Sequence, residues 1–256
     1  MDLLNALILG IIEGATEFLP ISSTGHLIVV SNWLGLEQDS IHVGFQIIIQ
    51  MAAIFAVIVK YPRKFTFRHT ALWIKVTIAF IPLAIVGFLF KDQIENLFSN
   101  QRLIPSMFIL GGIFLVVLER FYVESSDKTS SVEDVSYSQA IWIGCAQIVA
   151  LIPGTSRAGA TISGAMCVGV SRKASAEFSF LLALPVLGCV SAYQLLKHYE
   201  EFSGEYLIPL AVGFVTAFIV SFFSINIFLW FMDKFSLAAF GYYRIAFGGL
   251  LFFMLY

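Results

Sequence analysis

The chain has 256 residues, of which 59% are hydrophobic and 12% charged, and its formal net charge is −2. Soluble domains carry about 25% charged residues, so this composition excludes an ordinary soluble protein. The small net charge says nothing about partners, but the lack of a long basic run argues against nucleic-acid binding. Uncharged stretches of about 20 residues match the length of a spanning helix and predict an all-α integral membrane protein.

The first apolar region, residues 3–35, is interrupted by the polar segment Pro20-Ile21-Ser22-Ser23-Thr24-Gly25. Its flanks of about 14 to 17 residues are too short to cross a bilayer alone. An irregular backbone at membrane depth must be buried in protein or line a wet cavity. We therefore predict a re-entrant helix-loop-helix pair, followed by three transmembrane helices at about 41–60, 71–90 and 104–121.

The same order of elements returns after a polar loop, 123–138, whose composition is that of a disordered segment. Residues 139–170 are broken at Pro153-Gly154-Thr155-Ser156-Arg157-Ala158-Gly159 and predict a second re-entrant pair. Three more spans are predicted at about 175–196, 207–231 and 236–256, which makes six transmembrane helices in all.

A shift of 134 positions places Gly10 on Gly144, Ser22 on Ser156 and Gly25 on Gly159. Because three spans separate the two broken regions, the second copy enters the membrane from the opposite side. We predict one membrane domain, 1–256, built as an inverted-topology repeat of about 1–122 and 139–256. Chance is the alternative explanation of the residue matches alone.

The basic residues of the predicted loops are unevenly divided between the two sides. One side holds Lys60, Arg63, Lys64, Arg68, Arg120, Lys128, Arg172, Lys173 and Lys234, and the other holds only Lys91, Arg102 and Lys197. The side rich in Lys and Arg should be cytoplasmic. Both termini, and the entry of the first re-entrant pair, are then expected to face outward.

The first break is surrounded by polar residues that are costly at membrane depth and so mark functional sites: Glu13, Glu17, Ser22, Ser23, Thr24 and His26. Glu13 and Glu17 lie one helical turn apart, where two carboxylates repel unless a proton or cation lies between them. Such hard oxygen ligands suit Mg²⁺ or Ca²⁺. A solvated helix end is the alternative interpretation of this pair.

Ser22, Ser23, Thr24 and Gly25 stand just before the next apolar stretch. Hydroxyl and backbone N–H groups at a helix start can bind an anion or simply cap the helix, and the two roles are compatible. His26 lies in the first turn, where it is either a proton carrier or a hydrogen-bonded structural residue.

The second break repeats this design with Gly154, Thr155, Ser156 and Thr161 and adds Arg157. A guanidinium donates in a fork that suits phosphate. Its anionic partner is either a carboxylate of the first break or a substrate phosphate. The combined set of acids, serine, histidine and arginine matches phosphoryl transfer, and the membrane location suggests a substrate with an apolar tail and a phosphate head.

Several residues outside the two breaks are left with open roles. Arg244 could extend to the interface or pair with a carboxylate, and Gln46 could join helices or reach the polar centre. Glu177 opens a span beside Arg172 and Lys173, and we expect an interfacial ion pair there. The cysteines Cys145, Cys167 and Cys189 have no metal-ligand spacing and are expected to be buried.

The two broken segments resemble the motifs of a known family. Residues 13–26, Glu-Gly-Ala-Thr-Glu-Phe-Leu-Pro-Ile-Ser-Ser-Thr-Gly-His, resemble the first motif of the bacterial undecaprenyl-diphosphate phosphatases linked to bacitracin resistance. Residues 153–161, Pro-Gly-Thr-Ser-Arg-Ala-Gly-Ala-Thr, resemble their second motif, and the likeness extends through Val170-Ser171-Arg172 and Glu177-Phe178-Ser179-Phe180.

The resemblance implies a divalent-cation-dependent enzyme of the bacterial inner membrane, with its site facing the periplasm or exterior. It would hydrolyse the diphosphate anhydride of undecaprenyl diphosphate to give the monophosphate carrier lipid of peptidoglycan synthesis. Matched by position, the catalytic set is Glu17, Ser23, His26 and Arg157. Ser23 would attack or position the outer phosphate, Arg157 would hold the diphosphate, and either Glu17 or His26 would be the base.

Two positions depart from the family pattern. A glutamate often stands where this chain has Gln46, and a serine usually stands where it has Ala158. An acidic role at the first position and a hydroxyl contact at the second are therefore in doubt. The rival interpretation of the whole chain is a transporter or flippase for a phosphorylated lipid, because inverted repeats with broken helices are also a transporter plan. A homodimer is compatible with either function.

Overall fold

The computed structural model describes residues 1–37, 39–98, 100, 102–125, 127–198 and 204–255. The chain forms α1 (Leu3–Thr16), α2 (Ser23–Trp33), α3 (Ser40–Lys60), α4 (Thr70–Leu89), α5 (Lys91–Phe98), α6 (Leu103–Phe121), α7 (Tyr137–Gln147), α8 (Arg157–Cys167), α9 (Arg172–His198), α10 (Leu207–Lys234) and α11 (Ala238–Leu255). Short 3₁₀ turns link some of them. The prediction of an all-α fold is confirmed for the part of the chain that is described.

Five helical stretches are long and apolar enough to span a membrane: Ile41–Lys60, Phe67–Leu89, Leu103–Phe121, Arg172–Leu196 and Leu207–Lys234. They confirm a multi-pass membrane protein and five of the six predicted spans. The sixth, α11, is a helix at the predicted place, but its apolar stretch, Ala238–Met254, falls in the shorter class. A count of six spans therefore stays a prediction.

The helices on either side of the two breaks are short. α1 has 14 residues, and α2, α7 and α8 have 11 each, well below the roughly 20 residues of a full crossing. α7 begins 134 residues after α1, and α8 begins and ends 134 residues after α2. The offset inferred from residue matches is thus also the offset of the helix boundaries.

Two compact units make up the described chain. The first comprises residues 1–18, 23–65 and 183–227. Its core is apolar, with Leu9, Leu27, Phe45 and Ile49 almost fully buried. In this unit α1 lies directly against α10, because a Cβ atom added to Gly10 would come within 2.6 Å of the Gly213 carbonyl oxygen. Glycine at position 10 is what permits that approach.

The second unit comprises residues 19–22, 66–182 and 228–256. Here α7 lies against α4, because a Cβ atom on Gly144 would come within 2.4 Å of the Ala79 carbonyl oxygen. Gly144 lies 134 positions after Gly10. Their contact partners, Ala79 for Gly144 and Gly213 for Gly10, are also 134 positions apart. Each unit therefore contains one close glycine contact, and the two contacts join equivalent pairs of helices. A repeat in which each half of the chain contributes helices to both units would produce this pattern.

The loop 123–138 was expected to have the properties of a disordered segment, and for its described residues this expectation is wrong. The Thr129 amide donates to the Gly169 carbonyl at 3.0 Å, and Gln139 donates to the Thr129 hydroxyl at 3.1 Å. Ser136 and Gln139 form a reciprocal capping box at the start of α7. The polar side chains that gave the loop its composition are thus used in specific hydrogen bonds.

The three cysteines were expected to be buried, and this is also wrong, since Cys145, Cys167 and Cys189 are all exposed. They lie on apolar helices that also turn large side chains outward, such as Trp142 at 61% exposure. Hydrophobicity indicates burial only when the surroundings are water, because lipid tails are as apolar as a protein core.

We expect Gly144→Ala to lower the free energy of unfolding by about 1–3 kcal/mol, because the new methyl group must push α7 away from the α4 backbone. Gly87→Ala is the matched control, since its Cβ would meet only Leu151 at 3.7 Å. That change should be neutral or stabilising by up to about 1 kcal/mol. Denaturation of the purified protein in detergent measures both, and equal stability of the two variants would contradict the packing argument.

Candidate active site

A short hydrogen bond closes the first break. α1 ends at Thr16, Glu17 caps it, and α2 begins at Ser23. The Ser23 hydroxyl donates to Glu17 Oε2 at 2.5 Å, and both side chains are about 7% exposed. A hydroxyl that donates to a carboxylate already has a proton acceptor in place. The pair is therefore suited to activate Ser23.

Glu13, Thr24, Gly25 and His26 lie in the same unit as the Ser23–Glu17 pair. Glu13 is fully buried one turn before Glu17 on α1. His26 is 6% exposed and lies one turn after Ser23 on α2, with Thr24 and Gly25 between them. Glu13, Glu17, Ser23 and His26 are all buried, which argues against a solvated helix end as the reason for the two acids.

Ser22 and Ser156 share a rare backbone conformation. Their φ angles are 68° and 77°, and they are the two non-glycine residues with positive φ in the described chain. This conformation costs about 1–3 kcal/mol at each site and persists only where the surroundings enforce it. The two serines are 134 residues apart, each directly before a helix of 11 residues. Ser156 accepts a hydrogen bond from the Gly159 amide at 3.0 Å and so caps α8.

Arg157 is held by a residue that the sequence did not single out. Its Nη1 donates to the carbonyl of Ser179 at 2.9 Å and to the Ser179 hydroxyl at 3.3 Å. The same hydroxyl lies 2.6 Å from the Thr161 hydroxyl. Ser179 is a fully buried polar residue of α9, and a polar residue within an apolar span was the signal that could have identified it. The contact fixes where the guanidinium points.

Arg244 departs from both expectations for it. Its side chain is 1% exposed, so it does not extend to an interface, and the hydrogen bonds described for it go to backbone carbonyls instead of a carboxylate. Nε donates to Phe108 O at 3.3 Å, and Nη2 donates to Met107 O at 2.9 Å and Gly154 O at 3.0 Å. A planar guanidinium with five donors is the side chain able to satisfy so many acceptors.

The remaining nitrogen of Arg244 joins the two breaks. Nη1 donates to Pro20 O at 3.1 Å and to Thr155 O at 2.7 Å. Pro20 belongs to the first break and Thr155 to the second, and both residues are part of the second unit. The carbonyls of the two polar breaks therefore converge on one buried cation. Gly111 makes room for it, since a Cβ atom there would lie 2.3 Å from Arg244 Nη2.

Gln46 connects two helices, which is one of the two roles expected for it. Its Nε2 donates to the Ser31 hydroxyl at 3.0 Å, and both residues are buried. The bond connects α3 to α2, the helix whose first turn carries Ser23 and His26. Because the amide of Gln46 makes this connection, the helix that carries Ser23 is supported without an acid at position 46.

The described residues contain no group of three or more His, Cys, Asp or Glu side chains that could hold a metal ion. The candidate ligands are the two predicted acids, Glu13 near the end of α1 and Glu17 at its C-cap. Mg²⁺ commonly binds through one or two carboxylates together with substrate phosphates, and two buried oxygen donors one turn apart fit that mode.

A groove of about 680 Å³ lies in the second unit between α6, α7 and α8. Thr155 and Gly159 of the second break line it, together with Arg244. Most of its other walls are apolar, among them Leu110, Phe114 and Trp142. An apolar groove with a few polar groups is the usual form of a ligand site.

Comparison with known proteins places this chain in a family. The family model described as "Bacitracin resistance protein BacA" matches residues 6–250. The chain belongs to the BacA family. It is 58% identical over 251 residues to Undecaprenyl-diphosphatase 2 of Pseudoalteromonas translucida, with 98% of each chain covered. It is 57% identical to the undecaprenyl-diphosphatase of Sulfurimonas denitrificans, again with 98% of each chain covered, and 45% identical to that of Methanococcus aeolicus, also over 98% of each.

The predicted site residues of this BacA chain fall into two described sets. Glu13, Glu17, Ser23, Thr24, Gly25 and His26 lie in the first unit, and Ser22, Gly154, Thr155, Ser156, Arg157 and Thr161 lie in the second. Within the first set the structure joins Ser23 to Glu17, and within the second it gathers Arg157 and Thr161 around Ser179. The sequence missed Ser179 and the connecting role of Arg244.

We expect Arg244→Met to destabilise the protein by at least about 3 kcal/mol, because each buried carbonyl left without a donor costs about 1–3 kcal/mol. Arg244→Lys should be intermediate, since an ammonium has three donors and no fork. Arg120→Lys, an exposed position at the end of α6, is the control and should stay within about 0.5 kcal/mol. An Arg244→Met variant as stable as wild type in detergent denaturation would refute this role.

Proposed function

We propose that this BacA-family protein hydrolyses undecaprenyl diphosphate to undecaprenyl phosphate and inorganic phosphate, which recycles the carrier lipid of peptidoglycan synthesis and confers bacitracin resistance. The observation that carries the proposal is the Ser23–Glu17 hydrogen bond of 2.5 Å, in a chain whose relatives are named undecaprenyl-diphosphatases over almost their whole length. A buried serine activated by a carboxylate is the centre that a phosphatase needs.

In the proposed reaction Ser23 Oγ attacks the terminal phosphorus while its proton passes to Glu17. The bond between that phosphorus and the bridging oxygen breaks, and the bridging oxygen leaves with undecaprenyl phosphate. Water then attacks the phosphoserine, releases phosphate and restores the Ser23 hydroxyl. The net reaction consumes one water and one diphosphate. The 2.5 Å contact supports Glu17 as the proton acceptor, because a base must lie within hydrogen-bond reach.

His26 then has a second task in the same cycle. It lies one helical turn after Ser23 on the same helix, where it can deliver a proton to the departing oxygen or activate the hydrolytic water. In the alternative in which Ser23 only positions the phosphate, the water attacks directly and Glu17 accepts a proton from it. Both versions use the same residues and differ in whether a phosphoserine forms.

Arg157 is proposed to hold the diphosphate. Its Nη1 is fixed by Ser179, which presets the direction of the guanidinium fork. A cation fixed before the reaction stabilises the charge that develops on the transferred phosphoryl group without a reorganisation cost. Backbone N–H groups at the starts of α2 and α8, with Ser22, Thr24, Gly25, Gly154, Thr155, Ser156 and Thr161 around them, are proposed to contact the remaining phosphate oxygens.

Glu13 and Glu17 are proposed to hold a divalent cation, Mg²⁺ or Ca²⁺. Both carboxylates are buried, and carboxylate oxygens are the ligands these ions prefer. When bound, the ion would neutralise negative charge on the diphosphate. Glu13 would serve mainly the ion, while Glu17 would also face Ser23.

The proposed setting is an inverted-topology repeat with two re-entrant pairs, placed in the bacterial inner membrane with the site toward the periplasm or exterior. The equal offsets of helix boundaries and of the contacts of Gly10 and Gly144 support the repeat. The excess of Lys and Arg on one set of loops supports the orientation. A transporter or flippase of a phosphorylated lipid would use the same plan, but it would not need the Ser23–Glu17 pair.

We expect purified protein in detergent to release phosphate from undecaprenyl diphosphate, and Ser23→Ala and Arg157→Ala each to lower kcat/KM at least about 100-fold, since each removes a group that acts in the transition state. Asn32→Ala is the control, because this polar residue lies on the same helix and is exposed. Its rate should stay close to that of wild type. Full turnover by Ser23→Ala would overturn the nucleophile assignment.

We also expect phosphate release to stop when a chelator removes divalent cations and to return when Mg²⁺ or Ca²⁺ is added. Glu13→Gln should raise the cation concentration needed for half-maximal rate at least about tenfold, because it removes a charged oxygen ligand. Melting temperature without cation, which this change should hardly move, separates the effect from misfolding. Hydrolysis at full rate in the chelator would rule out the cation, and transport without hydrolysis would favour the flippase.

A further inference from the structure

The groove in the second unit is lined mostly by apolar residues, which suits the apolar tail of an amphiphile. Among the lining residues that the structure describes, Arg244 alone carries a charge, and its donors are already engaged by carbonyls. Leu110 and Phe114 of α6 and Trp142 of α7 form much of the wall. Such a lining contributes binding energy only to an apolar ligand, in proportion to the area removed from its surroundings.

The groove opens on the apolar surface of the protein. Leu110, Phe114 and Trp142 are 55%, 51% and 61% exposed, and all belong to helices or flanks of the membrane region. A lipid can therefore enter from the side without passing through water. This distinguishes the groove from a site for a soluble phosphate compound.

The groove is continuous with the second break. Thr155 and Gly159 line it, and the Thr155 carbonyl is held by Arg244 at 2.7 Å. In a trans peptide the C=O and N–H groups point in opposite directions, so the Ser156 N–H is directed away from Arg244 at the start of α8. A ligand in the groove thus has the proposed phosphate-binding segment beside it.

Two hydroxyls indicate that the occupant is not wholly apolar. The Thr155 and Ser163 side-chain oxygens are buried and have no hydrogen-bond partner within the described residues, and both residues line the groove. Ser163 is 1% exposed. Buried hydroxyls without partners are unfavourable. A ligand with phosphate oxygens next to an apolar chain supplies acceptors, which hydrocarbon tails of bulk lipid do not.

We propose that this groove binds the part of the polyprenyl chain nearest to the diphosphate, and so positions the head group at the second break. The proposal rests on the proposed function and adds the surface that selects a lipid substrate. A volume of about 680 Å³ is that of a pocket for a drug-sized molecule. It holds only the head-proximal units of a long chain, and the remainder extends into the bilayer.

Native cysteines provide a direct test. Cys145 and Cys167 line the groove, whereas Cys189, equally free and exposed, lies on α9 in the first unit. The Ser23→Ala variant in detergent with Mg²⁺, which keeps the proposed cation but should not turn over, is treated with an uncharged maleimide with and without undecaprenyl diphosphate. Peptide mass spectrometry then gives the alkylation rate of each cysteine. The lipid diphosphate should slow alkylation of Cys145 and Cys167 at least about fivefold and leave Cys189 unchanged.

A second test fills the groove by mutation. Cys145→Trp should lower kcat/KM for undecaprenyl diphosphate about tenfold while changing it less than about twofold for isopentenyl diphosphate, whose single unit gains little from the groove. Cys189→Trp, the matched control, should change neither value. A substrate-dependent effect of this kind cannot come from general misfolding, which would lower both rates together.

The outcomes separate the two proposals. If wild-type protein hydrolyses neither diphosphate with cation present, the proposed function fails. If it hydrolyses undecaprenyl diphosphate but protection is equal at all three cysteines, or appears with detergent alone, the groove holds bulk lipid and the present proposal fails by itself. Equal loss of both activities in Cys145→Trp would overturn it as well.

Discussion

The hydrogen-bonding requirement of a broken backbone in an apolar environment is the constraint on which the rest of this molecule depends. A helix interrupted at membrane depth exposes carbonyls that neither water nor lipid can satisfy. The chain meets this requirement with a single buried guanidinium, since Arg244 donates to carbonyls of both breaks and of α6. Removing the arginine would leave the carbonyls unsatisfied, so the architecture and the site depend on the same side chain.

Close helix contacts and backbone strain reinforce that arrangement. Gly10 and Gly144 let α1 and α7 approach backbone to backbone in their respective units, which leaves little freedom for the short helices to shift. Ser22 and Ser156 then complete each turn with positive φ angles of 68° and 77°. The cost of such a conformation is tolerated only where packing over-determines it. Strain at both breaks, at equivalent positions, indicates that the turn geometry itself is what the fold preserves.

Much of this could be predicted from sequence, and the failures have physical reasons. Length and apolarity located five spans, and proline followed by hydroxyl residues located both breaks, because these features act locally. Arg244 was misjudged because its five described acceptors are backbone carbonyls, all more than 80 positions away in sequence, and a carbonyl is common to every residue type. Ser179 was overlooked for a similar reason, since its role comes from the approach of α9 to Arg157. The cysteines were misplaced because an apolar residue in a membrane protein can face either core or lipid.

The distribution of charges suggests why the serine and the arginine are supported by different devices. In the proposed reaction Ser23 is the nucleophile, and it is joined directly to an acid, Glu17, that can take its proton. Arg157 is proposed to hold the diphosphate, and its Nη1 is held by the carbonyl and hydroxyl of Ser179, which fix the direction of the guanidinium. A carboxylate in that place would satisfy the guanidinium before the substrate arrived and weaken its attraction for phosphate. Arg244 is held in position by backbone carbonyls. Both guanidiniums are therefore positioned by backbone carbonyls that come from distant parts of the chain, so their direction is set before a ligand binds.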